Sequence, residues 1–150
     1  MAETENKPGT VQEPYRGYNF KLDIGGKTQG HFTYVSGLGA EVEAIEYRAG
    51  GQSQVVHRLP GRVSYGEVTL SYGLTSSDDL WKWFQSALEG NVQRRHVSII
   101  LLDSGGVLPV KKWDLIDAWP RRWLGPPLDA LGNQVAIEKI TLVFETLKPG

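Results

Sequence analysis

The chain has 150 residues, 40% of them hydrophobic, with a formal net charge of -1 and no cysteine. That length suits one domain with a real core, and the charge balance argues against nucleic acid as the main partner, since phosphate binding needs a basic surplus. Without cysteine there is no disulfide framework and no thiolate chemistry. No apolar run approaches the roughly 20 residues that span a membrane, and residues 1–16 are polar, without the apolar centre of a signal peptide. The expectation is a soluble protein with no classical export signal.

Residues 1–16 read as a flexible arm punctuated by Pro8, Gly9 and Pro14, and residues 17–150 as a single domain. Tyr18, Phe20, Leu22 and Ile24 alternate with Asn19, Lys21 and Asp23, the pattern of a half-buried strand. His31–Ser36 reads as a second strand and Glu41–Arg48 as a third. In the third, Val42 is out of phase with Ile45 and Tyr47, which predicts a bulge. The stretch 49–64 is poor in large apolar residues and is bracketed by Gly50, Gly51, Pro60 and Gly61. It reads as a projecting loop, and loops of that length in compact domains usually carry a function. Tyr65–Tyr72 alternates again, with Val68, Leu70 and Tyr72 on the core face and Glu67, Thr69 and Ser71 opposite.

A single helix is expected over about 76–89. Ser76 followed by Asp79 resembles a capping box, Asp78 and Asp79 suit the positive end of the helix dipole, and Gly90 offers a left-handed stop. Leu80, Trp81, Phe84 and Leu88 recur at three- and four-residue spacing and form the expected core face, which Trp83 widens. Val97–Leu102 is nearly continuous in apolar residues, as in a strand buried on both faces. Asp103–Gly106 is a hairpin turn, and Val107–Ile116 returns with Pro109 near its start. Asp117–Gly132 is expected to be partly loop because of Pro120, Pro126 and Pro127. Val135–Leu147 changes phase near Glu138–Lys139, where a bulge is expected.

The candidate chemistry is thin. His31, His57 and His96 each stand alone, with no second ligand at metal-binding spacing. There is no Gly-x-Ser-x-Gly elbow and no phosphate loop, so the sequence nominates no catalytic, cofactor or metal site. Arg94-Arg95, Lys111-Lys112 and Arg121-Arg122 read as solvated strand ends or as a basic patch facing an acidic partner. Trp113, Trp119 and Trp123 read as core or subunit-interface groups, or as a platform for a sugar ring.

An ordered set of short motifs runs through residues 17–148. Phe20–Ile24 and Val35-Ser36-Gly37-Leu38 are followed by Glu46–Gly51, Leu59-Pro60-Gly61 and Val68-Thr69-Leu70. The set closes with Ala118-Trp119-Pro120, Leu128-Asp129-Ala130, Ala136-Ile137-Glu138 and Glu145. This set resembles the inner tube (tail tube) proteins of contractile phage tails and phage-tail-like contractile injection systems, relatives of the Hcp tube subunits of type VI secretion. The chain departs from that pattern at Leu70–Gly73, where the family often has Leu-x-Arg-Gly. The resemblance implies a mainly β fold, a barrel or sandwich of antiparallel strands with one helix packed on it. It further implies a structural, non-enzymatic subunit. Six copies would form a ring, rings would stack into a hollow tube inside a sheath, and baseplate, tube-initiator and terminator proteins would sit at the ends. Protein cargo in the lumen is possible. Assembly would occur in the cytoplasm before the subunit joins a phage tail or injection particle.

On this reading Gly50, Gly51, Gln54, Val56, Arg58, Pro60 and Gly61 form a ring-stacking loop. The polar sets Asn19, Lys21, Asp23 and Glu67, Thr69, Ser71 are candidates for the lumen wall. The alternative is a monomeric β-barrel module that binds carbohydrate through its tryptophans.

Overall fold

The computed structural model describes residues 20–29, 32–48, 50, 55–73, 78–133 and 135–150. The expected sites Asn19, Gly51 and Gln54, with His31 and Ser76, lie outside them. In chain order the elements are β1 (Phe20–Ile24), β2 (Lys27–Gln29), β3 (Phe32–Ser36), β4 (Ala40–Arg48), β5 (Val56–Tyr65), β6 (Val68–Gly73), α1 (Asp79–Leu88), β7 (Arg95–Leu102), β8 (Pro109–Leu124), β9 (Ile137–Val143) and β10 (Thr146–Pro149). Eight strands make one antiparallel sheet in the order β2-β1-β7-β8-β9-β6-β3, with β10 added on β8. The remaining two, β4 and β5, pair only with each other.

The 16-residue β8 is the spine of the sheet. Its first half pairs with β7 and β10, and its second half pairs with β9. The two halves meet at Asp117, which takes a positive φ of 53°. The facing chain breaks at the same level, between β9 and β10, where the Glu145 N–H bonds the Ile116 carbonyl at 2.9 Å. Both chains therefore bend together, and the sheet folds over on itself. Leu22, Ile24, Val97, Ile99 and Leu115 from one half close on Val68, Leu70, Ile140 and Leu142 from the other to form the core.

Two sequence expectations change here. Asp117–Leu124 is strand rather than loop: Pro120 is buried within it, at a register shift opposite Leu142, where a residue without an N–H is tolerated. The irregularity expected at Glu138–Lys139 falls instead at Phe144–Glu145, because it has to match the bend at Asp117. The hairpin turn at Asp103–Gly106 is present, and the Asp103 carboxylate accepts the Val107 and Leu108 N–H groups at 3.0 and 3.2 Å.

The helix is shorter than expected, and its buried face differs. Asp78 is the N-cap without a side-chain capping bond and pairs instead with Lys82 at 3.4 Å. At the other end Gly90, at φ 81°, donates to the Ala87 carbonyl and Asn91 donates to Ser86. That double bond pattern is a Schellman stop, and its left-handed residue suits glycine. The helix docks on β8 through Trp83, which is 1% exposed. Trp83 donates its indole N–H to the Gln93 carbonyl at 2.7 Å and takes the Arg95 guanidinium over its ring at 5.1 Å. Leu80 and Phe84 are partly buried beside it. The expected core residues Trp81 and Leu88 are 37% and 63% exposed. Trp81 instead lies edge-on to Trp123 at 4.8 Å, at the rim of the contact. The apolar periodicity was real, but ten residues make under three turns, and the seat on β8 is wide enough for one large ring.

This burial sets the first prediction. Trp83→Ala should cost roughly 3–5 kcal/mol, as large-to-small core changes do. Leu88→Ala should stay within about 0.5 kcal/mol, as surface changes do. Urea unfolding of the two variants measures the difference.

Candidate functional site

Four features lie outside the core: a protruding arm, the joint that holds it, a groove at the arm's base and two polar sheet faces. The arm is β4 and β5. Every described residue of β4 is exposed, and β5 is exposed but for Gly61 and Tyr65. The sequence reading of 49–64 as a loop is therefore corrected: Val56, Arg58, Pro60 and Gly61 lie in a strand that pairs back onto Glu41–Arg48. The third strand is not part of the core sheet but the other half of this arm. The pairing shifts between Val42–Val63 and Ala44–Pro60, so β5 carries one extra residue there. Gly61 and Arg62 stand there opposite the single residue Glu43, with Pro60 at the edge of the bulge in register with Ala44; Pro60 and Gly61 hid the strand alternation. Gly50 is exposed at the turn.

The bulge also sorts the arm's apolar side chains. Near the root, Val42 and Val63 are cross-strand partners. Nearer the tip, Ile45 faces Leu59, with Tyr47 next on the same face. Alternation along β4 puts Val42 on one side of the ribbon and Ile45 and Tyr47 on the other. All five are exposed, so both sides of the arm present apolar surface to water. An isolated two-stranded ribbon is at best marginally stable, and apolar area left in water forgoes roughly 25 cal/mol per Å².

The joint is a close crossing of backbones. The Gly66 N–H bonds the Gly39 carbonyl at 2.9 Å. Gly37, at φ 93°, lies so close to the Glu67 carbonyl that a Cβ there would collide with it. Beside the joint lies a groove of about 430 Å³, lined by Phe20, Tyr34, Val35, Leu38, Leu101 and Trp113 together with Thr33 and Ile99.

The polar faces are only partly as expected. Lys21 is exposed and Asp23 half-buried on β1. Glu67 is exposed and ion-paired with Arg121. The Thr69 hydroxyl sits 3.2 Å from that of Thr141. Ser71 is corrected: it is 4% exposed, flanked across the strands by the much longer Tyr34 and Lys139, and offers little to a channel. On the face that carries Asp23, Asp114 gathers three partners on one oxygen. The Ser98 hydroxyl donates to it at 2.7 Å, with His96 Nε2 at 3.2 Å and Lys112 Nζ at 3.5 Å. Partial burial opposes the Asp114 charge, but these bonds outweigh it and hold the pKa below the ordinary carboxylate value. Serine and histidine both bind the aspartate and not each other, so no nucleophile–base pair forms.

The three tryptophans do not make one platform. Trp113 packs on the core and lines the groove. Trp123 sits at Trp81 on the helix and donates to Glu138 at 3.3 Å. Trp119 lies opposite Val143. Sequence reasoning missed the groove, since its lining comes from strands far apart in the chain. Among the described residues no group of three His, Cys, Asp or Glu side chains is placed to hold a metal ion, and no helix is long and apolar enough to cross a membrane.

A folded-over antiparallel sheet with one helix and a detached apolar ribbon defines a building block of an assembly. The chain belongs to the T4-like virus tail tube protein gp19 family, whose model matches residues 16–148. It is a structural tube subunit of the kind found in phage tails and contractile injection systems. It is 27% identical, with a TM-score of 0.86, to a chain of the anti-feeding prophage cap (the tube terminating cap), over 100% of this chain and 99% of that one. It is also 27% identical to a chain of the sheath-tube complex of an extracellular contractile injection system, PVC, in the extended state; there the TM-score is 0.84 and 93% of each chain is covered. Hcp1 from Flavobacterium johnsoniae shares the fold at a TM-score of 0.56 and 13% identity, over 89% of this chain and 95% of that one. No curated protein sequence matches the chain.

The joint and the Asp114 cluster each give a prediction. Gly37→Ala should cost more than the roughly 1–2 kcal/mol of a left-handed residue alone, because the new Cβ meets backbone. Gly26→Ala, also at positive φ but with nothing within 4 Å, should cost only that amount; thermal melts of the two compare them. Asp114 has its folded pKa depressed, so its stabilisation is present above the unfolded value near about 3.9 and is lost as pH falls through the folded value. Asp114→Asn should remove that part of the acid dependence, leaving a flatter stability curve in this range.

Proposed function

We propose that six copies of this chain close into a ring, and that rings stack into the hollow inner tube of a contractile particle inside a sheath. The observation that carries this is the arm. It is a ten-residue strand paired with a nine-residue one, apolar on both sides and in contact with little of its own subunit. Such an element is stable only when other copies cover it. A ring arises when a heterologous contact has a rotation that closes, and a stack arises when a second contact does not close. The arm, with Gly50, Val56, Arg58, Pro60 and Gly61, supplies the ring-to-ring contact in this reading.

At least one polar face, Lys21 with Asp23 or Glu67 with Thr69, lines the channel, and six-fold repetition multiplies its charge. A wet, mixed-charge wall lets protein cargo pass without sticking. Sheath outside, and baseplate and terminator proteins at the ends, are the further partners; the similarity to chains of sheath-tube, cap and baseplate assemblies supports them. The subunit assembles in the cytoplasm and acts as structure, with no reaction of its own.

Electron microscopy of the purified chain tests this. Rings or hollow rods are the expected result. Val42→Asp with Val63→Asp should abolish rods and leave a subunit that melts normally, since both sites are exposed. Long rods from that variant would refute the arm's role, and featureless monomers from the unaltered chain would refute the tube.

A further inference from the structure

The groove beside the arm's joint lies where the two ends of the folded sheet approach without pairing. Phe20 comes from β1, near one end of the strand order, and Tyr34 and Val35 come from β3, the other end. Ile99 and Leu101 of β7 and Trp113 of β8 form the floor. None of its lining side chains is charged. Tyr34, at its rim, is 61% exposed. Its volume, about 430 Å³, falls within the roughly 300–1,000 Å³ of pockets that hold drug-sized ligands.

We propose that this groove is the socket for the tip of the arm of a second copy. The inference rests on the tube reading and adds the receiving surface to it. Two of the exposed apolar surfaces among the described residues differ in form: a protruding ribbon whose outer half bears Ile45, Leu59 and Tyr47, and this groove. The arm does not serve its own groove. It leaves the body one residue after the joint that follows Leu38, runs nine residues, or about 30 Å at strand rise, and packs against no other element of its subunit to a comparable extent. The tip therefore reaches a groove only on another molecule.

That contact is heterologous, patch into pocket, and because socket and root lie side by side, each engaged copy presents its own arm onward. A contact of this kind repeats from copy to copy, and it extends as a stack where its rotation does not close a ring. The edges fit as well: among the described residues β3 pairs on one side only, with β6, and β4 and β5 pair only with each other, so backbone pairing adds to side-chain burial.

Because the chain contains no cysteine, introduced thiols are the only ones present. Tyr34→Cys and Leu59→Cys, carried on separate chains, are co-assembled into rods and mildly oxidised. The expected result is a disulfide joining the position-34 peptide of one copy to the position-59 peptide of another, found by mass spectrometry in rods and absent from dispersed subunits. Tyr34→Asp should in addition cut rod yield at least tenfold, with melting like that of the parent. Rods in which the thiol at position 34 stays as reactive to a maleimide as in dispersed subunits overturn the proposal. So do rods in which it is protected but never joined to position 59, since residues 1–19 or another partner then fill the groove. Both of those results leave the tube reading standing; failure of the unaltered chain to form rods overturns the two together.

Discussion

The structure depends on the shared bend of β8 and its partner chain. A 16-residue strand cannot stay flat and bury one face on anything in a chain this small. Asp117, at positive φ, turns it. The pause between β9 and β10 lets the neighbouring chain turn with it, held by the bond from Glu145 to Ile116. Once the spine is bent, the sheet closes on its own apolar face, and β7 becomes the strand sealed on both sides. The helix is then left the second half of β8 as a seat, and a seat of that width takes Trp83.

The same economy leaves the arm outside. Every large apolar residue of the core belongs to the eight-stranded sheet or to the helix, and β4 and β5 add none. They are spliced in at a joint where Gly37, Gly39 and Gly66 bring backbones into contact. The body thus keeps its core without the arm, and in the proposed tube the arm is covered by other copies. That division of labour is what an assembling subunit needs: it can fold first, at low concentration, and commit to the polymer afterwards.

Much of this was legible in the sequence. Strict alternation gave β1 and β6, and the run Ile99–Leu102 marked the doubly buried strand. Gly90 ended the helix where expected. What was not legible has a common cause: a neighbour far away in the chain decided it. Pro60 and Gly61 broke the pattern of β5, and only pairing with Glu41–Arg48 shows that they sit at the edge and in the body of a bulge. Pro120 made β8 look like loop, although its missing N–H falls at a register shift. Helical periodicity chose Trp81 and Leu88 as readily as Trp83, and only the position of β8 picks among them. Ser71 kept the parity of a solvent-facing residue, but Tyr34 and Lys139 stand over it. The groove has no sequence signature at all.

A tube needs two kinds of contact from one surface, and the arrangement of charge separates them. Exposed apolar surface lies on the arm and at the groove near its root, and also at Leu128, Leu131 and Val135 after β8. Several titratable groups of the body are paired within the subunit: Glu67 with Arg121, Glu145 with Arg94, Asp114 with Ser98, His96 and Lys112. Exposed pairs of this sort contribute little to stability, about 0–1 kcal/mol each. Their effect is on specificity. A charge that already has a partner in its own subunit gives little reward to a misplaced neighbour. In the proposed tube, ring-to-ring association falls to the arm, which is joined to the body at the glycine joint. In that reading, the direction of growth is encoded in the subunit before any second copy arrives.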